Sequence, residues 1–157
     1  MSNKMRWRYG DTNPVLLPVD SATAIDIGDL IFLDTDDAKP ASGKADSGSL
    51  AGNQESLHDA FVGVAMQASG VGDTQSIRIA TSGVFEFDCG SATFELGDMV
   101  GGVENTSGNA LLDQTVAKVA AANLAIGRCA RRVPVADTRV LVEIASTVMR
   151  GGVQTAA

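Results

Sequence analysis

The chain has 157 residues, 45% of them hydrophobic and 20% charged, with a net charge of −7. That length suits one compact domain or two small ones sharing a core, and the acidic balance excludes phosphate-backbone binding as the main task, which needs clustered Lys and Arg, so no nucleic-acid partner is expected. No apolar run reaches 18 residues and the first residues lack a signal-peptide core, so no membrane partner is expected and synthesis is placed in the cytoplasm.

Residues 1–21 read as an extended N-terminal arm. "MRWRYGDTNPVLLPVD", Met5–Asp20, holds the only Trp, the only Tyr and two of the four prolines. Pro14 and Pro18 oppose helix and favour an extended path. With Lys4, the arm is also locally basic on an acidic chain. Arg6, Trp7, Arg8 and Tyr9 are residue types that dominate interface energetics, which makes them candidate partner-binding residues. The alternative is that Trp7 and Tyr9 pack on the chain's own β-structure, and the two readings are compatible.

Residues 22–90 read as a first β-unit. It opens with "AIDIGDLIFLD", Ala24–Asp34, a short apolar strand after a Gly28-Asp29 turn. Glycine there supplies a backbone angle that a Cβ disfavours, and the aspartate can bond its own turn. The polar stretch Thr35–Leu57, rich in Gly, Ser, Asp and Lys, makes this unit longer than the second. Asp34–Gly48 has the acidic spacing of a calcium loop without the loop glycine and closing glutamate, and reads as a solvated, mobile loop. Asn53–Ala60 is expected to form two helical turns with Asn53 as the cap. "FVGVAM" is a strand, and "GVGDTQS", Gly70–Ser76, lacks the Walker lysine and reads as a hairpin loop. "SIRIATSGVFEFD", Ser76–Asp88, alternates as a strand, with Ile77 and Ile79 on one face and Arg78 on the other.

Residues 91–157 read as a second β-unit. "TFELGDMVGGV", Thr93–Val103, repeats the turn at Gly97-Asp98, 69 positions after the first. Thr115–Val119 is expected as a strand because Thr115, Val116 and Val119 are β-branched. A turn at Ala121–Asn123 follows, then a further strand. "TRVLVEIAS", Thr138–Ser146, alternates with Val140, Val142 and Ile144 on one face.

Further landmarks recur in the same order. Gly63 in "FVGVAM" matches Gly127 in "AIGRCA", 64 positions on, and Asp73-Thr74 matches Asp137-Thr138, also at 64. "IRIATSGV" resembles "VEIASTVM" at 65. The expectation is therefore a mainly β chain. It consists of two repeated β-barrel-like or sandwich units, an extended arm and at most one short helix.

Chemistry-bearing clusters are not evident. The single histidine, His58, lies beside Asp59 at a helix end, and no G-x-S-x-G elbow is present, so an exposed or capping role is expected. Cys89 and Cys129 fit no metal spacing and read as free thiols. No cofactor, metal or catalytic residue is expected, and the turn aspartates Asp29 and Asp98 read as structural. An aromatic, basic arm on an acidic β-protein points to binding or structure instead of catalysis.

Gly63–Ala65, Gly70–Asp73, Ile77–Phe85 and Leu96–Val100 together resemble the strand-and-turn pattern of phage capsid decoration proteins, also called cement or head-stabilising proteins. The resemblance covers roughly Ile25–Val103. It implies a non-enzymatic protein on the outside of a virion, bound in many copies to the major capsid protein and self-associating, as a trimer in many such proteins. The alternatives are a carbohydrate-binding or surface-adhesion β-module, or another virion component.

Overall fold

The computed structural model describes residues 3–155. Strand accounts for 43% of the chain and helix for 14%, so the protein is mainly β. In chain order the strands are β1 (Trp7–Tyr9), β2 (Val15–Leu17), β3 (Leu30–Asp34), β4 (Asp37–Pro40), β5 (Phe61–Ala65), β6 (Ile77–Ala80), β7 (Val84–Phe94), β8 (Met99–Glu104), β9 (Leu111–Lys118), β10 (Gly127–Cys129) and β11 (Val133–Ile144). Helix α1 spans Leu50–Ala60 between β4 and β5, and α2 spans Thr147–Arg150 after β11.

Five strands close into a barrel in the order β7-β11-β10-β8-β9. Closure comes from a parallel pairing of β7 with β9, at Asp88 opposite Thr115 and Cys89 opposite Val116. Alternation in β7 drives it. Phe85, Phe87 and Cys89 are buried, while Glu86 and Asp88 between them are partly open. Val140, Val142 and Ile144 do the same from β11, as their spacing predicts. The barrel interior is filled by these residues with Val100, Leu111 and Val116.

The second sheet has the order β2-β6-β5-β3-β4, is antiparallel throughout, and remains open. Its own cluster holds Val19, Ile25, Ile31, Val62, Ile77 and Ile79. Leu30, Phe32, Phe61 and Leu57 of α1 face the other way and join the barrel core. Gln54 of α1 donates to the Gly102 carbonyl at 2.7 Å, which docks the helix on β8.

Several details differ from the expectations. The helix begins at Leu50 with Ser49 as its cap, whose hydroxyl accepts from Gly52 N–H. Asn53 is instead buried inside it and ties Asp46 to Glu104 through its amide. A second helix, α2, is capped by Ser146, so helix is not limited to one segment. The run Ser76–Asp88 is two strands in different sheets, broken after Ala80 by a turn in which Gly83 takes φ +110°. The expected loop Asp34–Gly48 contains β4 and a 3-10 turn at Ala41–Gly43, with Ala38 and Ala41 fully buried. Small buried alanines anchor it there, and its polar composition hid them. Strand β7 runs through residues 90 and 91, where the sequence suggested a unit boundary.

The two Gly-Asp turns have one construction. Gly28 and Gly97 adopt φ +98° and +88°. Asp29 N–H donates to Asp26 O and Asp98 N–H to Glu95 O. Gly28 N–H meets the Ala65 carbonyl at 2.9 Å, and Gly97 N–H meets that of Cys129 at 2.9 Å. Each turn feeds a strand paired in the same order, β6-β5-β3-β4 in one sheet and β11-β10-β8-β9 in the other. Asp73-Thr74 and Asp137-Thr138 do not correspond. The first pair follows a loop turn and the second lies inside β11.

Candidate functional site

The N-terminal segment lies against both sheets. Lys4 N–H donates to Ile27 O, β1 pairs with β7, Thr81 N–H donates to Thr12 O, and β2 pairs with β6. The expected arm is therefore a strap, extended as Pro14 and Pro18 dictate but bonded along its length.

Arg6 is its buried member, with 6% exposure. Its Nη2 lies 3.0 Å from Asp88 Oδ2 and 2.8 Å from Gln114 Oε1, and its Nε donates to the same amide oxygen at 3.1 Å. The Gln114 amide nitrogen donates onward to Asp29 Oδ1 at 2.9 Å and to the Ile27 carbonyl. Asp29 Oδ2 accepts from Asp26 N–H at 2.9 Å. One chain of polar contacts thus joins the strap, β7, β9 and the first Gly-Asp turn. Arg6 was expected at a partner interface, and the structure assigns its guanidinium to internal partners.

Burial pushes the fully buried Asp29 carboxyl up from 3.8 to about 6, against the opposing pull of its two donors. Asp113 is also raised by burial, although Ser42 donates to it through both N–H and hydroxyl. Asp88 is lowered, chiefly by its hydrogen bond to Arg6. These groups line a cleft of about 410 Å³. Perturbed carboxyls in a cleft mark a candidate site. Here Asp29, Asp88 and Asp113 each have a partner within the chain, and among the described residues no group of three side chains is placed to hold a metal. The arrangement is a latch for the strap.

Trp7, Arg8 and Tyr9 lie on the open side. Strand β1 is the edge of its sheet, and Trp7 and Tyr9 are 40% and 51% exposed. Trp7 Nε1 donates to Gly10 O at 2.9 Å, which fixes the ring at the surface. Arg8 reaches Glu86 at 3.1 Å. Of the turn residues, Asp98 resembles Asp29 in its turn bond but is partly exposed. Its carboxyl is lowered by the Glu95 N–H bond and by Lys118 at 3.1 Å.

The other residues singled out by sequence are separate from this strap. His58 Nδ1 lies 2.6 Å from the Ala125 carbonyl, which ties α1 to the turn before β10. Cys89 and Cys129 are free, buried, and both raised by burial. In the Asp34–Gly48 segment, Asp46 accepts from Gly48 N–H and from Asn53, and Asp34 holds Lys39 at 2.7 Å. Sequence reasoning did not find Gln114, the hinge of the latch. A lone glutamine in a strand carries no signal until the fold brings Arg6, 108 positions away, against it.

No helix among the described residues is long and apolar enough to cross a membrane. No protein-family model, no curated protein and no solved structure matches the chain.

Proposed function

We propose that this protein is a non-enzymatic capsid decoration protein that binds the outer surface of a phage capsid and stabilises it. Its partners in that reading are the major capsid protein and further copies of itself, in a trimer. It is made in the host cytoplasm and resides on the virion exterior, and it needs no cofactor and no nucleic-acid or membrane partner.

One observation carries the reading. The edge strand β1 presents Trp7, Arg8 and Tyr9 to solvent while Arg6, just before it, anchors that strand from inside. Exposed aromatics on a fixed backbone lose little freedom on docking, which is what an interface anchor requires. The strand-and-turn pattern from Ile25 to Val103 supports the same reading by resemblance. The matched Gly-Asp turns and the shared strand order support the idea that the chain arose from two copies of one β-unit. A sheet extended over a shell is a natural use of such a unit.

The test is co-sedimentation with undecorated capsids assembled from the major capsid protein of the phage that this reading implies. The protein should pellet with the shells and raise the temperature at which they break. Replacing Trp7, Arg8 and Tyr9 together by Ala should weaken pelleting by roughly tenfold or more while the circular dichroism of the free protein is unchanged. Undiminished binding would remove β1 from the interface, and failure of the wild type to bind any such shell would overturn the reading.

A further inference from the structure

The barrel's outer wall carries a basic groove. Arg131, Arg132 and Arg139 line a cavity of about 380 Å³ with Glu86, Pro134 and Val135. A second hollow, lined by Lys4, Arg8, Glu86 and Arg139, continues it through the shared Glu86 and Arg139. Together with Arg6, this wall takes 6 of the chain's 12 Lys and Arg but, with Glu95 paired to Arg132, only Glu86, Asp88, Glu95 and Asp137 of its 19 acidic residues. The rest of the chain is left with 6 cations against 15 carboxylates. The wall is net positive on a protein whose other surfaces are strongly negative.

Several of these cations are not neutralised within the chain. Among the described residues, the Arg131 guanidinium has no hydrogen-bond or ion-pair partner, and the Lys4 ammonium acts on Asp88 without a direct ion pair. Arg139 stands 3.7 Å from Glu86, a carboxylate that Arg8 already holds at 3.1 Å. Arg132 pairs with Glu95 at 2.7 Å, as Arg6 pairs with Asp88 at 3.0 Å. Val135, 79% exposed, adds an apolar shoulder to the groove.

The opposite charge is concentrated on the β3–β4 hairpin. Its tip holds Asp34, Asp36 and Asp37, with Asp20 nearby and Lys39 the cation between them. Asp34 pairs with Asp37 across a two-residue turn, and Thr35 within it adopts φ +58°. The tip is narrow, defined in shape and crowded with like charge. Asp37 is raised by burial and then by Asp36 and Asp20, while Lys39 opposes them.

We propose that the arginine groove on the barrel wall of one copy receives the acidic β3–β4 tip of a second copy, so that the protein self-associates head to tail. A contact between two different surfaces closes into a ring when the rotation between copies permits, and extends otherwise. The pairing relieves two unfavourable situations at once: clustered arginines gain carboxylate partners, and crowded aspartates gain guanidinium donors in a geometry suited to bidentate bonds. It rests on the self-association in the capsid reading and names its surfaces, and it is measured on the isolated protein, so that its failure is distinguishable from a failure to bind capsids.

The experiment is sedimentation velocity of the full chain at roughly 50 mM and roughly 1 M salt, across which screening shortens from well over 10 Å to about 3 Å. The wild type should associate at low salt and dissociate at high salt. Arg131→Glu with Arg139→Glu should be monomeric at low salt, and so should Asp36→Lys with Asp37→Lys. Mixing the two variants, or combining all four changes in one chain, should restore association, because the charges are then exchanged and not lost. The neutral pair Arg131→Ala and Arg139→Ala serves if a reversal unfolds the protein, and should weaken association by roughly tenfold. A wild type that stays monomeric at low salt, a reversal that still associates, or a mixture that does not recover would each overturn the proposal. A monomer whose groove variants lose only capsid binding would assign the groove to the capsid protein.

Discussion

Asp29 and Asp98 close the same turn, each accepting at 2.9 Å from the backbone N–H three residues before it, yet their carboxyls are pushed in opposite directions. The difference comes from what lies above them. The strap crosses the first turn, so that Asp29 is fully buried beneath Lys4, Arg6 and Gln114. The second turn is open, and Lys118 meets Asp98 at its rim. Identical local chemistry thus becomes a buried latch in one place and a surface ion pair in the other.

Asp29 should make stability fall as pH rises from about 4 through about 6. Its folded value is above its ordinary 3.8, so the native state holds the proton more tightly than the unfolded chain does. Stability from this group is full below the unfolded value and is lost as pH rises through the folded one. The full shift corresponds to an upper figure of about 3 kcal/mol. Solvent in the adjoining cleft reduces it, so about 1–2 kcal/mol should appear in urea midpoints measured between pH 4 and 7. Asp29→Asn should flatten that window. A wild-type curve that rises across it, or an unchanged slope in the variant, would count against the assignment.

Gly28→Ala should cost more than Gly97→Ala. Both substitutions force a Cβ into a left-handed turn, worth about 1 kcal/mol or somewhat more. At Gly97 the Cβ meets open space, whereas at Gly28 it meets the Lys4 carbonyl oxygen and lies 2.9 Å from Arg6 Cγ. Denaturant unfolding of the two variants gives the comparison. Hydrogen exchange should show strap amides opening in the first variant and not in the second.

Arg6→Ala should destabilise the fold by about 2 kcal/mol or more, because it leaves Asp88 and the Gln114 oxygen without their guanidinium. Arg8→Ala should change stability by less than about 0.5 kcal/mol, since its pair with Glu86 is solvent-exposed. Thermal unfolding of both variants separates the two adjacent basic positions. Equal effects would mean that the latch carries no more weight than the surface pair.

Cys89 and Cys129 should resist thiol reagents in the native state and react fully once unfolded. Both are buried, and burial raises both thiols, which depletes the reactive thiolate. Labelling with a chromogenic disulfide reagent, with and without denaturant, reads this directly. Replacing either by Ser should cost about 1–3 kcal/mol through lost packing.

Much of the secondary structure was legible because local chemistry dictates it. Alternation placed Ile77, Ile79, Val140, Val142 and Ile144 inside with Arg78 outside, and the Gly-Asp spelling located both left-handed turns. The helix cap was misread by four residues because Ser49 and Asn53 are both acceptable caps. The choice fell to Ser49 once Asn53 found buried partners on Asp46 and Glu104. The basic groove was only half visible. Arg128, Arg131 and Arg132 lie close together in sequence, but the fold turns Arg128 toward the Gly97 and Gln154 carbonyls and brings Arg139, Arg8 and Lys4 to the others.

By itself the sequence determined strand periodicity, turn positions, an extended N-terminus and an acidic balance, all of which follow from backbone preference and residue type over short spans. Only the tertiary structure decided which strands close the barrel, that the N-terminus is a bonded strap, and that Arg6 points inward while Trp7, Arg8 and Tyr9 remain at an edge. Those outcomes depend on contacts between residues far apart in the chain, from Asp88 opposite Thr115 at the barrel seam to Arg6 with Gln114, 108 positions away. No local pattern encodes such contacts, because the energy that selects them arises only when the whole chain buries its apolar faces together.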